Sequence, residues 1–225
     1  MNLDFALEIL PQLLSGAVLS LQLVALALLL GLLLALPVAM ARLSRFAPIS
    51  ALAGGYVFVF RATPLLVQIF LIYYGLGQFE AVRTSILWPF LREPFWCAIL
   101  ALTLNSAAYT AEIIRGGIRS VPFGQIEAAR ALGMSGPLLY RRVILPLAWR
   151  QALPAYGNEM IQMVQASSLA STITLLELTG VARAIAARTF QPVEAFVIAG
   201  AIYLLLNFAL TRAVHWAERR VGHAA

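Results

Sequence analysis

Two groups of polar residues recur at helical spacing inside long apolar runs of the sequence. Within each group the offsets are four and three residues, which places the side chains on one face of a helix. The groups are Asn105, Tyr109 and Glu112, and Asn158, Gln162 and Gln165, with Glu159 beside the second group and Ser168 after it. Amides and hydroxyls hydrogen-bond polar solutes, and the two carboxylates can pair with a positive charge. This chemistry suits solute binding.

Polar residues also join helices to one another in a bundle, so each group has a structural alternative. We favour a solute path for both groups, because a carboxylate within an apolar run needs a partner, a cavity or a proton. For Tyr203, Asn207 and the serines after Ala166 we favour helix-to-helix hydrogen bonds, with Ser168 kept as a candidate on the path.

The sequence offers no set of residues for catalysis. No Ser-His-Asp or Cys-His arrangement is assembled by spacing, and no nucleotide-binding loop of the Walker type occurs. Cys97 is the only cysteine, and neither histidine suggests a metal site. We therefore expect no catalytic residue, no metal and no cofactor bound by this chain.

The composition is that of a polytopic membrane protein. Of 225 residues, 61% are hydrophobic and only 12% are charged. The net charge of +6 does not indicate nucleic acid, because the arginines fall between apolar runs and form no single basic face. Asp4 and Glu8 stand where a signal peptide would be basic, so we expect no cleavable leader.

Apolar runs of about 20 residues predict an all-α bundle with five transmembrane helices in one domain, residues 1–225. The second run is too long for one straight span, and Thr63-Pro64 should break it. The predicted spans are residues 17–41, 49–76 with a break at 61–64, 95–114, 153–176 and 195–213. Arg61 lies at this break, where we expect it to pair with a glutamate or to cap a helix end rather than to contact solute.

The distribution of arginine predicts the orientation. All 16 basic residues are arginine, and eleven of them fall in one set of loops and the tail, against four in the other set. Because basic loops stay in the cytoplasm, the N-terminus should face outward and the C-terminus inward. Loop 115–150 is then cytoplasmic.

That loop reads as two short helices joined at a glycine. Residues 127–132 favour a helix, and Gly133 can end it in a left-handed cap. Ser135 offers an N-cap for a second helix, which should stop before Pro146. A polar helical hairpin between spans has the form of a docking surface.

The spacing of this loop resembles the EAA loop of ABC-importer permeases, which inserts into a cleft on the ATP-hydrolysing subunit. The matching residues, which the resemblance makes the ATPase-coupling set, are Glu127, Ala128, Ala129, Gly133, Leu145 and Pro146. Val143 replaces the isoleucine of the family pattern.

Further segments resemble permeases of polar amino-acid importers, in the histidine, lysine, arginine and ornithine group and the opine group. They are residues 61–68, 104–109, 113–118 and Asn158-Glu159. The resemblance implies a type I ABC-importer permease fold in a bacterial inner membrane. It also implies two permease subunits, two ATPase subunits that bind ATP and Mg, and a periplasmic solute-binding protein.

One departure from the family bears on the solute. Many relatives have Lys-Asp or Lys-Asn where this chain has Gln165-Ala166, so residue 166 offers no carboxylate to a cationic amino acid. Either Glu159 serves instead or a partner permease supplies the charge, which favours a heterodimer of related permeases. A homodimer with a less polar or opine-like solute is the alternative within the family. An ion-coupled secondary transporter is the alternative from another class.

Overall fold

A computed structural model describes residues 3–222, and throughout that range the regular structure is helical, without a strand, which confirms the all-α prediction. Four helices are long: α1 (Leu3–Arg42), α6 (Pro94–Arg119), α9 (Leu145–Ala166) and α11 (Pro192–Gly222). The shorter helices are α2 (Ala47–Ala62), α3 (Leu65–Phe70), α4 (Glu80–Arg83), α5 (Trp88–Leu91), α7 (Phe123–Ala131), α8 (Gly136–Leu139) and α10 (Leu178–Thr189).

Three of the helices are long and apolar enough to cross a membrane alone, namely α1, α6 and α11. Two bent pairs reach the same length and composition. Residues 47–62 and 65–78 meet at 104°, and the helical run 136–173 meets α10 at 48°. Counting each bent pair as one span gives five, by length and composition.

The core lies where α1 crosses α6 and α6 crosses α9. Leu23 and Ala27 of α1 pack there with Leu102 of α6 and Met163 of α9, and all four are buried. Small residues permit the close crossing of α6 and α9: a Cβ added at Gly117 would stand 2.6 Å from the Ala148 carbonyl oxygen. The two polar groups noted in the sequence are therefore carried by helices in direct contact.

A buried carboxylate fixes α10 against α1 and α11. Glu177 is fully buried and caps α10 by accepting hydrogen bonds from the Thr179 and Gly180 amides, at 3.0 and 2.9 Å. The Tyr203 hydroxyl donates to the same carboxylate at 2.9 Å, and the Ser20 hydroxyl at 3.2 Å. Tyr203 thus makes the interhelical bond expected of it.

The segment after α6 folds on a small core of its own. Ala129 of α7 is buried there with Val121, Leu139 and Ile144. Gly133 follows α7 with φ +80°, and the Met134 and Gly133 amides donate to the Ala129 and Arg130 carbonyls at 3.0 and 2.9 Å. This is a Schellman cap, so Gly133 ends the helix as predicted. Ser135 occupies the N-cap position of α8, and its side chain makes no capping bond there.

The helix that begins at Gly136 does not stop before Pro146, contrary to the sequence-based expectation. A π-helical segment, Tyr140–Ile144, carries the chain from α8 directly into α9. Pro146 stands in the first turn of α9, where proline is tolerated. The wide turn before it accommodates the missing amide donor, and the result is one helical run over residues 136–173.

Candidate functional site

The site forms where α2 and α3 are separated at Thr63-Pro64. Two side chains satisfy the carbonyl groups that the break exposes. The Gln68 amide donates to the Phe60 and Thr63 carbonyls at 2.9 and 3.1 Å, and the Asn105 amide donates to Phe60 at 3.2 Å. Asn105 also donates to the Gln68 side-chain oxygen at 3.0 Å. Asn105 and Gln68, and not Arg61, therefore cap the broken helix end.

A cavity of about 470 Å³ opens between this break and helices α6 and α9. Six of the eight side chains predicted for the solute path line it, namely Asn105, Tyr109, Glu159, Gln162, Gln165 and Ser168. The backbone turn at Thr63, Pro64 and Leu65 forms another wall. The structure thus brings both polar groups and the helix break to one place.

Glu159 is the acidic group of this cavity. It is buried, with 5% of its surface exposed. None of the ion pairs among residues 3–222 involves Glu159. A carboxylate so placed attracts a cation that enters the cavity.

Glu112 lies instead in a neighbouring cavity of about 370 Å³, which shares Tyr109 with the first. Its carboxylate pairs with Arg42 at 3.1 Å and with Arg115 at 2.9 Å. The helical offsets placed it on the same face as Asn105 and Tyr109, but they could not reveal Arg42, which α1 brings from 70 residues away. Glu112 is a paired carboxylate that joins α1 to α6.

Asn158 also lies outside the first cavity, exposed on α9 beside the buried Glu159. Thr63, Pro64 and Leu65 belong to the cavity wall although their spacing in the sequence does not predict it. A signal was present, because the expected break at Thr63-Pro64 turns backbone toward the polar helices. Glu177 was missed as well, although an acidic residue three positions before Gly180 fits an N-cap.

Most of the predicted coupling residues are exposed on the loop, and one is buried inside it. Glu127, Ala128, Gly133, Leu145 and Pro146 are exposed. Ala129, in contrast, faces the core of the loop and is 5% exposed. The expectation that it lines a partner surface is corrected: a small residue is needed there for internal packing. Among residues 3–222, no group of three or more His, Cys, Asp or Glu side chains could hold a metal ion.

Comparison with known families and sequences gives consistent matches. The family model described as "Binding-protein-dependent transport system inner membrane component" matches residues 27–223. The nopaline transport system permease protein NocM of Agrobacterium fabrum is 54% identical over 219 residues, 97% of this chain and 91% of the relative. The histidine/lysine/arginine/ornithine transport system permease protein HisM of Escherichia coli K12 is 44% identical over 207 residues, 92% of this chain and 87% of the relative.

Solved structures give the same architecture. A chain from the structure titled "Crystal structure of an amino acid ABC transporter with histidines" has a TM-score of 0.88 and 39% identity, covering 98% of this chain and 99% of that one. A chain of the MetNI methionine ABC transporter, at 20% identity and a TM-score of 0.77, shares the fold over 98% of this chain and 99% of its own length. The type I importer permease fold expected from the sequence is confirmed.

Proposed function

Because the chain belongs to the family of binding-protein-dependent transport system inner membrane components, we propose that it moves a basic amino acid or an opine into a bacterial cell. The observation that carries this proposal is the cavity around Glu159. It offers one buried carboxylate together with the amides of Gln162 and Gln165 and the hydroxyls of Tyr109 and Ser168. A solute with a cationic head and further polar groups fits that lining.

The relatives favour the same solute chemistry. A relative named for nopaline and others named for octopine are 53–54% identical to this chain, and relatives named for histidine, lysine, arginine and ornithine are 44–49% identical. Opines, which are amino acids bearing an added carboxyalkyl group, are therefore the stronger candidates. The ion-coupled alternative is set aside, since the family works with binding proteins.

Partner chains complete the proposed importer. The loop surface around Glu127 and Gly133 docks on an ATPase subunit, which binds ATP and Mg. Phe123 and Leu132, which are 66% and 78% exposed, supply apolar contact beside the carboxylate. A second permease, related but different, and a periplasmic solute-binding protein complete the assembly in the lipid bilayer. In this arrangement the N-terminus is periplasmic and the C-terminus is cytoplasmic.

Replacing Glu159 by Gln tests the solute cavity. The change removes the charge with little change in shape, and losing one charge-assisted contact lowers uptake of radiolabelled arginine or octopine about ten- to hundredfold. Uptake is measured in cells that express the complete importer, and Glu80→Gln, on the exposed helix α4, is the control. Unchanged uptake in a well-assembled Glu159→Gln variant would make Glu159 a structural residue and remove the main support for this solute class.

A further inference from the structure

Among the residues that the structure describes, none accepts a hydrogen bond from the five N–H donors of Arg61. Neither a hydrogen bond nor an ion pair joins it to another side chain or carbonyl within the range 3–222. Its guanidinium lies over the Tyr109 ring, 5.1 Å from the ring centre. That contact engages the face of the cation and leaves the donors at its edge available.

The position of Arg61 along α2 makes those unused donors significant. Ala47 begins α2, and at 1.5 Å per residue Arg61 lies about 21 Å further along the helix axis. Residues 47–62 and 65–78 together have the length and apolar composition of one membrane span, and Arg61 lies beside the break within it. A charge within a span faces a cavity or a partner, because hydrocarbon cannot solvate it.

The cavity that Arg61 enters is positive. It is the space of about 370 Å³ that also holds Arg42 and Glu112. Glu112 is already paired with Arg42 at 3.1 Å and with Arg115 at 2.9 Å. Its charge is therefore compensated, and Arg61 adds a further positive charge that pairs with no carboxylate of the described range. An anionic group would be stabilised there.

This positive cavity adjoins the one that holds Glu159. Tyr109 lines both, and Thr63 and Pro64, which closely follow Arg61 in sequence, line the Glu159 cavity. A single solute molecule could thus meet a negative charge at one end and a positive charge at the other.

We infer that Arg61 binds a carboxylate group of the transported solute while Glu159 faces its cationic group. The inference rests on the proposed function, which accounts for the cationic group of the solute, and adds a residue that binds its carboxylate. A guanidinium matches a carboxylate with two parallel hydrogen bonds, which a lone amide cannot do. Solutes with a carboxylate remote from the cation, as in basic amino acids and opines, satisfy both ends.

The test compares solutes that differ by that carboxylate. Radiolabelled L-arginine is bound to the purified importer complex, and unlabelled agmatine, which is arginine without its carboxylate, competes with it. The wild type prefers arginine about tenfold or more. Arg61→Gln abolishes this preference, because it weakens the binding of arginine and leaves the binding of agmatine unchanged. Arg61→Lys retains part of the preference, since it keeps the charge and loses the planar fork.

Matched variants separate the possible failures. Arg83→Gln, on the exposed helix α4, keeps the preference for arginine over agmatine. Glu159→Gln weakens the binding of both solutes. A full preference for arginine in Arg61→Gln would overturn the inference while leaving the proposed function intact. If both Arg61 variants fail to assemble, Arg61 pairs with a partner subunit and the inference is overturned. A wild-type complex that binds neither arginine nor octopine would overturn the solute class itself and the inference with it.

Discussion

The turn at Gly133 allows a quantitative test of the proposed coupling role of loop 115–150. Its φ of +80° belongs to the left-handed region, which is strained for L side chains. A Cβ added there would meet no heavy atom within 4 Å, so the strain comes from the backbone and not from a clash within this chain. The left-handed conformation costs a non-glycine residue about 1–2 kcal/mol, and a β-branched residue fits it least well.

Gly133→Val should therefore depopulate the Schellman turn by roughly 5- to 30-fold relative to other loop conformations. The spans are untouched, so the permease still inserts. We expect co-purification of the ATPase subunits to fall by about that factor, together with solute-stimulated ATP hydrolysis in liposomes. The reason is that the turn sets the angle between α7 and α8 and so the shape of the docking surface.

Two variants make this prediction specific. Asparagine tolerates the left-handed region, so Gly133→Asn should keep most of the coupling. Gly116→Val adds the same side chain in open space on α6 and should change little. Normal co-purification and normal stimulated hydrolysis in Gly133→Val would refute the reasoning that this turn shapes the docking surface. An equal loss in Gly133→Asn would show that the partner needs empty space there and not a particular backbone angle.

Two further predictions concern stability and orientation. Glu177→Gln replaces one acceptor oxygen of a fully buried carboxylate by an NH2 group, which then faces donors that the carboxylate accepted from, so we expect the free energy of unfolding to fall by about 1–3 kcal/mol. A lowered melting temperature in detergent, with Glu80→Gln unchanged, checks this, and equal melting temperatures would contradict it. A reporter fused after Arg220 should report a cytoplasmic position, and a reporter inserted near Arg83 should report a periplasmic one. The reason is that eleven arginines lie in the loops and tail on the Arg220 side, against four on the Arg83 side. The reverse result would place loop 115–150 out of reach of an ATPase.

Local rules of the backbone predicted the features that depend on neighbouring residues. Proline after Thr63 located the helix break, and glycine at position 133 located the end of α7. Helical spacing placed Asn105, Tyr109 and Gln162 on faces that meet in one cavity. Each of these conclusions needs only the conformational preferences of a few consecutive residues.

The remaining features depend on contacts between residues far apart in the chain. The 104° bend at Thr63-Pro64 is held partly by Asn105, 45 residues from Phe60. Glu112 is paired by Arg42 from another helix. The inward direction of Ala129 follows from how α7 packs on Ile144. Spacing within one segment carries no information about such partners, so the roles of these side chains appear only in the folded chain.

The unbroken helical run over residues 136–173 has a mechanical consequence. It begins at α8, beside the Gly133 turn, and continues through Pro146 to Glu159 and Gln162 in the proposed solute cavity. Glu159 lies about 21 Å beyond Leu145 at 1.5 Å per residue. A helix of this length transmits a displacement at its α8 end to the wall of the cavity, and two places along it have weaker helical hydrogen bonding. Those places are the π-helical turn at residues 140–144 and the turn before Pro154, where proline removes one helical hydrogen bond. The stiffness of these two places therefore sets how much of a displacement at the loop reaches the Glu159 carboxylate.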